Sequence, residues 1–254
     1  MEDIAKESKT KKIMVYIWTT LAIIIFFSVF FAYHLGYRFK DNLTVGKIGH
    51  LNMTIPMPLT SVFIDNSQKI ETSKDNEQIK ISLSPKTHSV IVARDGYFPW
   101  TKSFVVPSNG NITVSPIFVS QNASGQIITQ KDPEYWQIRS NIIRNIIPKK
   151  DNPISSTDKT VTLWVDDNAI YVKNNEVVTK VIQPDTVVKN VSFYKDRNDA
   201  VIFSTTNSIF VIETDTSSAQ NFMPIYRGTS PNFIKTDPNF IYVLDGDVLM
   251  QVII

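Results

Sequence analysis

The sequence predicts a mainly β protein carried on one N-terminal transmembrane helix. Three observations predict it. Residues 13–33 form an uncharged run of 21 residues in which only Thr19, Thr20 and Ser28 interrupt apolar and aromatic side chains. From residue 45 onward the apolar period changes to strand alternation, in short runs bounded by Asn, Asp, Ser, Pro and Gly. Beyond residue 126 a unit of about 40 residues recurs, the length of a four-stranded β-propeller blade. The expected order is a cytoplasmic tail over residues 1–12 and a transmembrane helix over 13–35. A small antiparallel β-sandwich over 45–119 follows, then about three blade-like antiparallel repeats over 126–254, an incomplete propeller.

A helix rises about 1.5 Å per residue, so the uncharged run reaches roughly 31 Å, close to the ~30 Å hydrocarbon core of a bilayer. Its backbone hydrogen bonds are satisfied internally, which makes a single span physically complete. Trp18 near one end, and Tyr33 and Tyr37 at the other, suit the membrane interface. A buried core helix is the competing reading, but no other stretch has the pattern of helices that could surround it. Lys6, Lys9, Lys11 and Lys12 precede the run, and Arg38, Lys40 and Lys47 follow it, a small positive-inside bias. The run exceeds the apolar region of a cleaved signal peptide, and Phe30, Phe31, Ala32 and Tyr33 offer no small-x-small site. The expectation is a signal anchor, with the N-terminus cytoplasmic and the bulk of the chain outside.

In residues 45–119, Met53 and Ile55 alternate with Asn52 and Thr54. Val62 and Ile64 flank Phe63, and Ile79, Ile81 and Leu83 alternate with Lys80 and Ser82. Val90 with Val92, the run from Ser103 to Val106, and Ile112 with Val114 complete six short strands. Turn chemistry separates them at Asp65-Asn66, Ser84-Pro85, Asp95-Gly96 and Pro107 to Gly110. His88 begins one hairpin, and there it reads as a structural hydrogen-bonding residue. Tyr97, Phe98 and Trp100 cluster at a turn. They are the ligand-contact candidates, since such rings can stack on sugars, although aromatics so placed also cap small cores.

Pro58, then Val62-Phe63-Ile64-Asp65-Asn66, then Ser84-Pro85 with His88, then Gly96-Tyr97 stand in the order found in the PEGA domain, which this stretch resembles. Thr60-Ser61, Asn66 and Lys86 depart from the Gly-Ala, Gly and Gly of the family pattern. Asn tolerates positive φ, so the turn at Asn66 can survive the change. Gly36-Tyr37-Arg38-Phe39 also resembles bacterial proteins that join one span to a PEGA domain. The resemblance implies a β-sandwich at a cell surface; it implies no chemistry.

Three segments of the C-terminal region align without gaps: residues 136–147, 171–182 and 242–253. Each has an aromatic residue, a polar turn and a Val/Ile-rich return strand. Asn174-Asn175 and Asp245-Gly246 are favourable hairpin turns. A looser copy begins at Phe210. A second recurring feature, a polar turn before an apolar strand, starts at Asp158, Asp196 and Asp237, spaced by 38 and 41 residues. Tyr135, Ile138, Ile142 and Ile146 have helical spacing, but the alignment and the β-branched run favour strand for residues 133–147. The chain stops on the apolar strand 248–254, leaving an edge that invites pairing.

The 254 residues include no cysteine, which excludes disulfide scaffolds, thiol catalysis and thiolate metal sites. A net charge of +2 gives no electrostatic case for nucleic acid. No nucleophile elbow, P-loop, dinucleotide fingerprint or zinc-protease motif occurs. The paired carboxylates (Asp166 with Asp167, Asp196 with Asp199, Asp245 with Asp247) sit in turns. No catalytic, metal or cofactor residue is expected. The expectation is a non-enzymatic, membrane-anchored cell-envelope protein. Its partners are the lipid bilayer and either a cell-wall or surface polysaccharide or another envelope protein. The alternatives are an assembly subunit that pairs through exposed β edges and, less favoured, an anchored hydrolase using the turn carboxylates.

Overall fold

The computed structural model describes residues 2–40 and 43–254; the side chains of residues 2–11 and of Gln68 lie outside that description. Strand far outweighs helix, so the protein is mainly β, as the alternation predicts. The chain forms two compact units and passes between them repeatedly. One comprises Met1–Thr54, Gln78–His88 and Val105–Val114; the other comprises Ile55–Glu77, Ser89–Phe104 and Ser115–Ile254.

The first unit starts with the helix Glu2–His34. Its segment Lys12–His34 is long and apolar enough to cross a membrane, and none of it is buried against the rest of the protein. The expected cytoplasmic tail, residues 1–12, is described only through the helical backbone that begins at Glu2 and the side chain of Lys12. Gly36, at φ +83°, ends the helix, because a left-handed residue turns the chain off the axis at least cost when it lacks a Cβ. A two-stranded hairpin follows, Tyr37–Phe39 against Val45–Lys47. The unit also contains most of a three-stranded sheet in the order Glu77–Leu83, Gly49–Ile55, Asn111–Val114. The last two of these strands run parallel, where the sequence predicts only antiparallel pairing. The long intervening chain supplies the crossover that a parallel pair requires. Leu51, Met53, Ile79, Ile81 and Leu83 occupy the buried positions, as their spacing predicts.

The second unit begins with most of a four-stranded sheet in the order Gln68–Glu71, Ser61–Ile64, Thr87–Ala93, Trp100–Val105. The Asp65-Asn66 turn adopts φ of 50° and 57°, so Asn66 does tolerate the left-handed conformation. Three further four-stranded sheets follow. The first is the meander Ile154–Ser155, Val161–Asp166, Ala169–Asn174, Val177–Ile182. The second is Asn190–Phe193, Ala200–Ser204, Ser208–Glu213, Phe222–Arg227. The third has the order Gly125–Ile128, Val248–Ile253, Phe240–Asp245, Asn232–Ile234. Among the described residues no closed barrel or propeller is formed. The hairpins around Asn174-Asn175 and Asp245-Gly246, and the turns at Asp158, Asp196 and Asp237, fall where the repeat predicts them. A core of Val161, Leu163, Val172, Val191, Phe193 and Phe203 joins the first two meanders.

Two readings of this region are corrected. Residues Tyr135–Arg144 are helical, and the gapless alignment of 136–147 with two hairpins is a coincidence of apolar spacing. Tyr135, Ile138 and Ile142 share one helix face and pack with Ile128, Leu244 and Leu249, and this burial outweighs the modest helix propensity of Ile. Pro133 precedes the helix and Asn145, in extended conformation, ends it. The second correction concerns the strand Val248–Ile253, which is not an open edge. Gly125–Ile128 pairs with it antiparallel, from Gly125↔Val252 to Ile128↔Leu249.

Candidate functional site

One edge strand from each of the three C-terminal sheets lines a common cleft of about 560 Å³. The helix Tyr135–Arg144 and the loop after it form its remaining wall. Ile154 comes from the first sheet, Asn190 and Ser192 from the second, and Lys235 from the residue after Asn232–Ile234 in the third. Asn141, Arg144 and Asn145 come from the helix and its end. These positions follow from local structure. Burial of Ile138 and Ile142 turns Asn141 and Arg144 outward; the second sheet contributes the polar Asn190 and Ser192, the third Lys235 and Thr236 just past its edge strand, and the first only the apolar Ile154.

The lining contains two cations, several amides and hydroxyls, and no carboxylate. Arg144 has no hydrogen-bond or ion-pair partner among the described residues, so its donors are free for a ligand. Lys235 donates to the carbonyl oxygen of Lys195. Burial lowers its pKa, with Asp196 and Asp237 opposing the shift. Asn190 is buried and donates to the Phe233 carbonyl at 2.5 Å, tying the second sheet to the third at the cleft wall. A cleft lined by two cations and several amide dipoles, with no carboxylate, favours anionic or polyhydroxylated ligands. A second cleft, of about 640 Å³, is lined by Lys149 and Lys150 together with Asp151, Asp166 and Asp167, and has no such bias.

The predicted aromatic candidates are placed differently from one another. Trp100 is only 2% exposed, and its indole Nε1 donates to Glu213 Oε1 at 2.5 Å, so its ring faces are covered. Tyr97 and Phe98 are half-buried; the Tyr97 ring meets Phe118 edge-on, with centroids 5.8 Å apart. None of the three lines the cleft. Trp18 and Tyr33 are exposed on the N-terminal helix, and Tyr37 begins the hairpin beyond it. His88 is buried, with Nε2 2.9 Å from the Ser84 carbonyl oxygen, which fits its structural reading.

Around Trp100 lies a buried polar lock that the sequence does not announce. Lys102 Nζ lies 3.2 Å from Glu213 Oε2 and 2.9 Å from Asp215 Oδ2. Asn221 donates its side-chain amide to the same Glu213 oxygen at 3.0 Å and to the Thr101 carbonyl at 2.8 Å. Burial alone would lower the Lys102 pKa; hydrogen bonding to Asp215 and the Glu213 charge reverse that, and the net shift is upward. For Asp215, burial raises the pKa, yet hydrogen bonds from Ser217 and Lys102 bring it down to about 2.

The turn carboxylates serve the backbone and neighbouring turns. Asp158 accepts from Ser156, Thr160 and Asn198, Asp196 accepts from Thr157, and Asp199 pairs with Arg197. Asp245 accepts from the Thr229 and Ser230 amides and the Tyr226 hydroxyl. The chain matches no protein-family model, and no curated protein matches it.

Proposed function

We propose that this is a non-enzymatic, single-pass membrane protein of the cell envelope that binds an anionic envelope polymer in the cleft around Arg144. The helix holds the chain to the bilayer with its N-terminus in the cytoplasm. The PEGA-like stretch, read as a small sandwich, serves as a spacer. The blade-like sheets present the cleft as loops and edge strands on a rigid scaffold. The observation that carries this reading is the charge of the lining: Arg144 and Lys235 among amides and hydroxyls, with no carboxylate.

The test is co-sedimentation of the full chain, in detergent micelles, with isolated cell-wall polymer stripped of protein. Binding that weakens with salt, and by about tenfold on Arg144→Glu, is the expected result. Binding indifferent to both changes would remove the cleft from consideration. Binding only to unstripped material would favour the assembly reading. One observation supports that alternative: Val177 and Val178 are exposed on the outer strand Val177–Ile182, an edge open to strand addition.

A further inference from the structure

The hairpin that follows the N-terminal helix carries an apolar face with no protein cover. Tyr37 pairs with Lys47 and Phe39 with Val45, so all four side chains share one side of the hairpin, and all four are exposed. Phe39 is 67% exposed, and Leu35 and Leu43, which flank the first strand, are 68% and 82% exposed. Large apolar side chains gathered in one short segment call for a nonaqueous partner. The opposite side faces the helix end: the Arg38 guanidinium lies 3.5 Å from the centroid of the Tyr33 ring and donates to the carbonyls of Tyr33 and Tyr37, both at 2.8 Å. Ile48 N–H donates to the Gly36 carbonyl at 2.8 Å, closing the base of the hairpin onto the helix terminus. The hairpin is therefore held to the helix at both of its ends.

We infer that this hairpin is a membrane foot, with Leu35, Phe39, Leu43 and Val45 seated in the interface of the bilayer that the helix crosses. The inference rests on the anchored reading above and adds a second lipid-contacting element to it. Position argues for lipid over any other occupant. The 23 residues of Lys12–His34 extend about 34 Å, slightly more than the ~30 Å hydrocarbon core. His34 then sits at the hydrocarbon boundary, and the hairpin starts three residues later. Charge agrees: residues 35–48 contain Arg38, Lys40 and Lys47 against one acid, Asp41, which lies outside the described residues. Exposed apolar side chains interleaved with basic ones suit the headgroup region, where rings and methyl groups reach the acyl boundary and cations meet phosphate.

The absence of cysteine makes the test direct. Single Phe39→Cys, Leu43→Cys, Ile24→Cys and Val177→Cys chains, each carrying a nitroxide, are reconstituted in vesicles of equimolar phosphatidylcholine and phosphatidylglycerol. Accessibility to oxygen and to a water-soluble nickel chelate is then compared. Labels at 39 and 43 are expected to read a depth between the lipid-buried label at 24 and the aqueous label at 177. Full nickel access at 39 and 43, with 24 still in lipid, would overturn the foot and leave the anchor standing. Low access to both reagents at 39 and 43 would mean a protein partner and overturn it equally. Nickel access at 24 would remove the anchor and the foot together.

Discussion

Glu213 shows how one residue can carry more than its local strand. Its carboxylate receives the Trp100 indole, the Lys102 ammonium and the Asn221 amide within a site where Lys102 and Glu213 side chains are 9% and 7% exposed. Removing Glu213 leaves the buried Lys102 with only the half-exposed Asp215 as counter-charge and strips the Trp100 and Asn221 donors of their acceptor, so Glu213→Ala should cost about 3–5 kcal/mol in denaturant unfolding. Trp100 emission should shift to the red as water reaches the indole. Replacing both charges by apolar groups, Glu213→Leu with Lys102→Met, should recover much of that loss, because the desolvation penalty disappears with the pair. If the double variant is as unstable as the single one, packing rather than charge holds this site. No sequence signal points to the lock: Lys102 and Glu213 lie 111 positions apart, and each reads locally as a polar residue on a strand.

Among the elements, the short strand Gly125–Ile128 has the clearest consequence. A Cβ built on Gly125 would lie 1.9 Å from the Gln251 carbonyl oxygen, so only glycine permits this approach. Gly125→Ala should destabilise the third sheet by about 1–3 kcal/mol, read as faster amide exchange across 248–253. Ile127→Ala, at a 69% exposed position on the same strand, should leave exchange there unchanged. Equal exchange in the two variants would mean that the clasp is not tightly packed. The alternation of Ile79, Ile81 and Leu83, or of Val90 and Val92, was legible because a half-buried strand writes its burial pattern at period two. The helix Tyr135–Arg144 was misread because Ile-Ile-x-x-Ile-Ile suits a strand as well as a helix; the spacing of Tyr135, Ile138 and Ile142 was the signal to follow. Pairing of 125–128 with the last strand depends on distant residues and leaves no local trace. The cleft was hidden for the same reason: three strands far apart in sequence line it.

Across the whole molecule, the turn and lock carboxylates set the response to acid. Hydrogen bonds from Ser156 and Thr160 hold Asp158 at about 2, and Asp215 stands at about 2 as well, both below an ordinary value of 3.8. A carboxyl with a depressed folded-state pKa contributes stability above its unfolded value and loses it as pH falls through the folded one. The melting temperature of the full chain should therefore be insensitive to these two groups from neutrality to pH 3.8, and should fall between 3.8 and about 2. Asp158→Asn with Asp215→Asn should flatten that fall; an unchanged profile would assign acid sensitivity elsewhere. Lys102 has the opposite sign: its pKa is raised from 10.5, so its contribution persists below that value and fades only as pH climbs past it. Timing is a separate consequence of the clasp. Gln126 and Gln251 meet across 125 positions, and closing a flexible loop of that length costs about 4 kcal/mol in its length-dependent part. Folding of the meanders between them shortens the effective loop, so the efficient order is local hairpins first and the Gly125–Ile128 ladder last. Until then Val248–Ile253, paired only with Phe240–Asp245, leaves its outer edge open, and the interval before closure is when a newly made chain is most open to pairing with its neighbours.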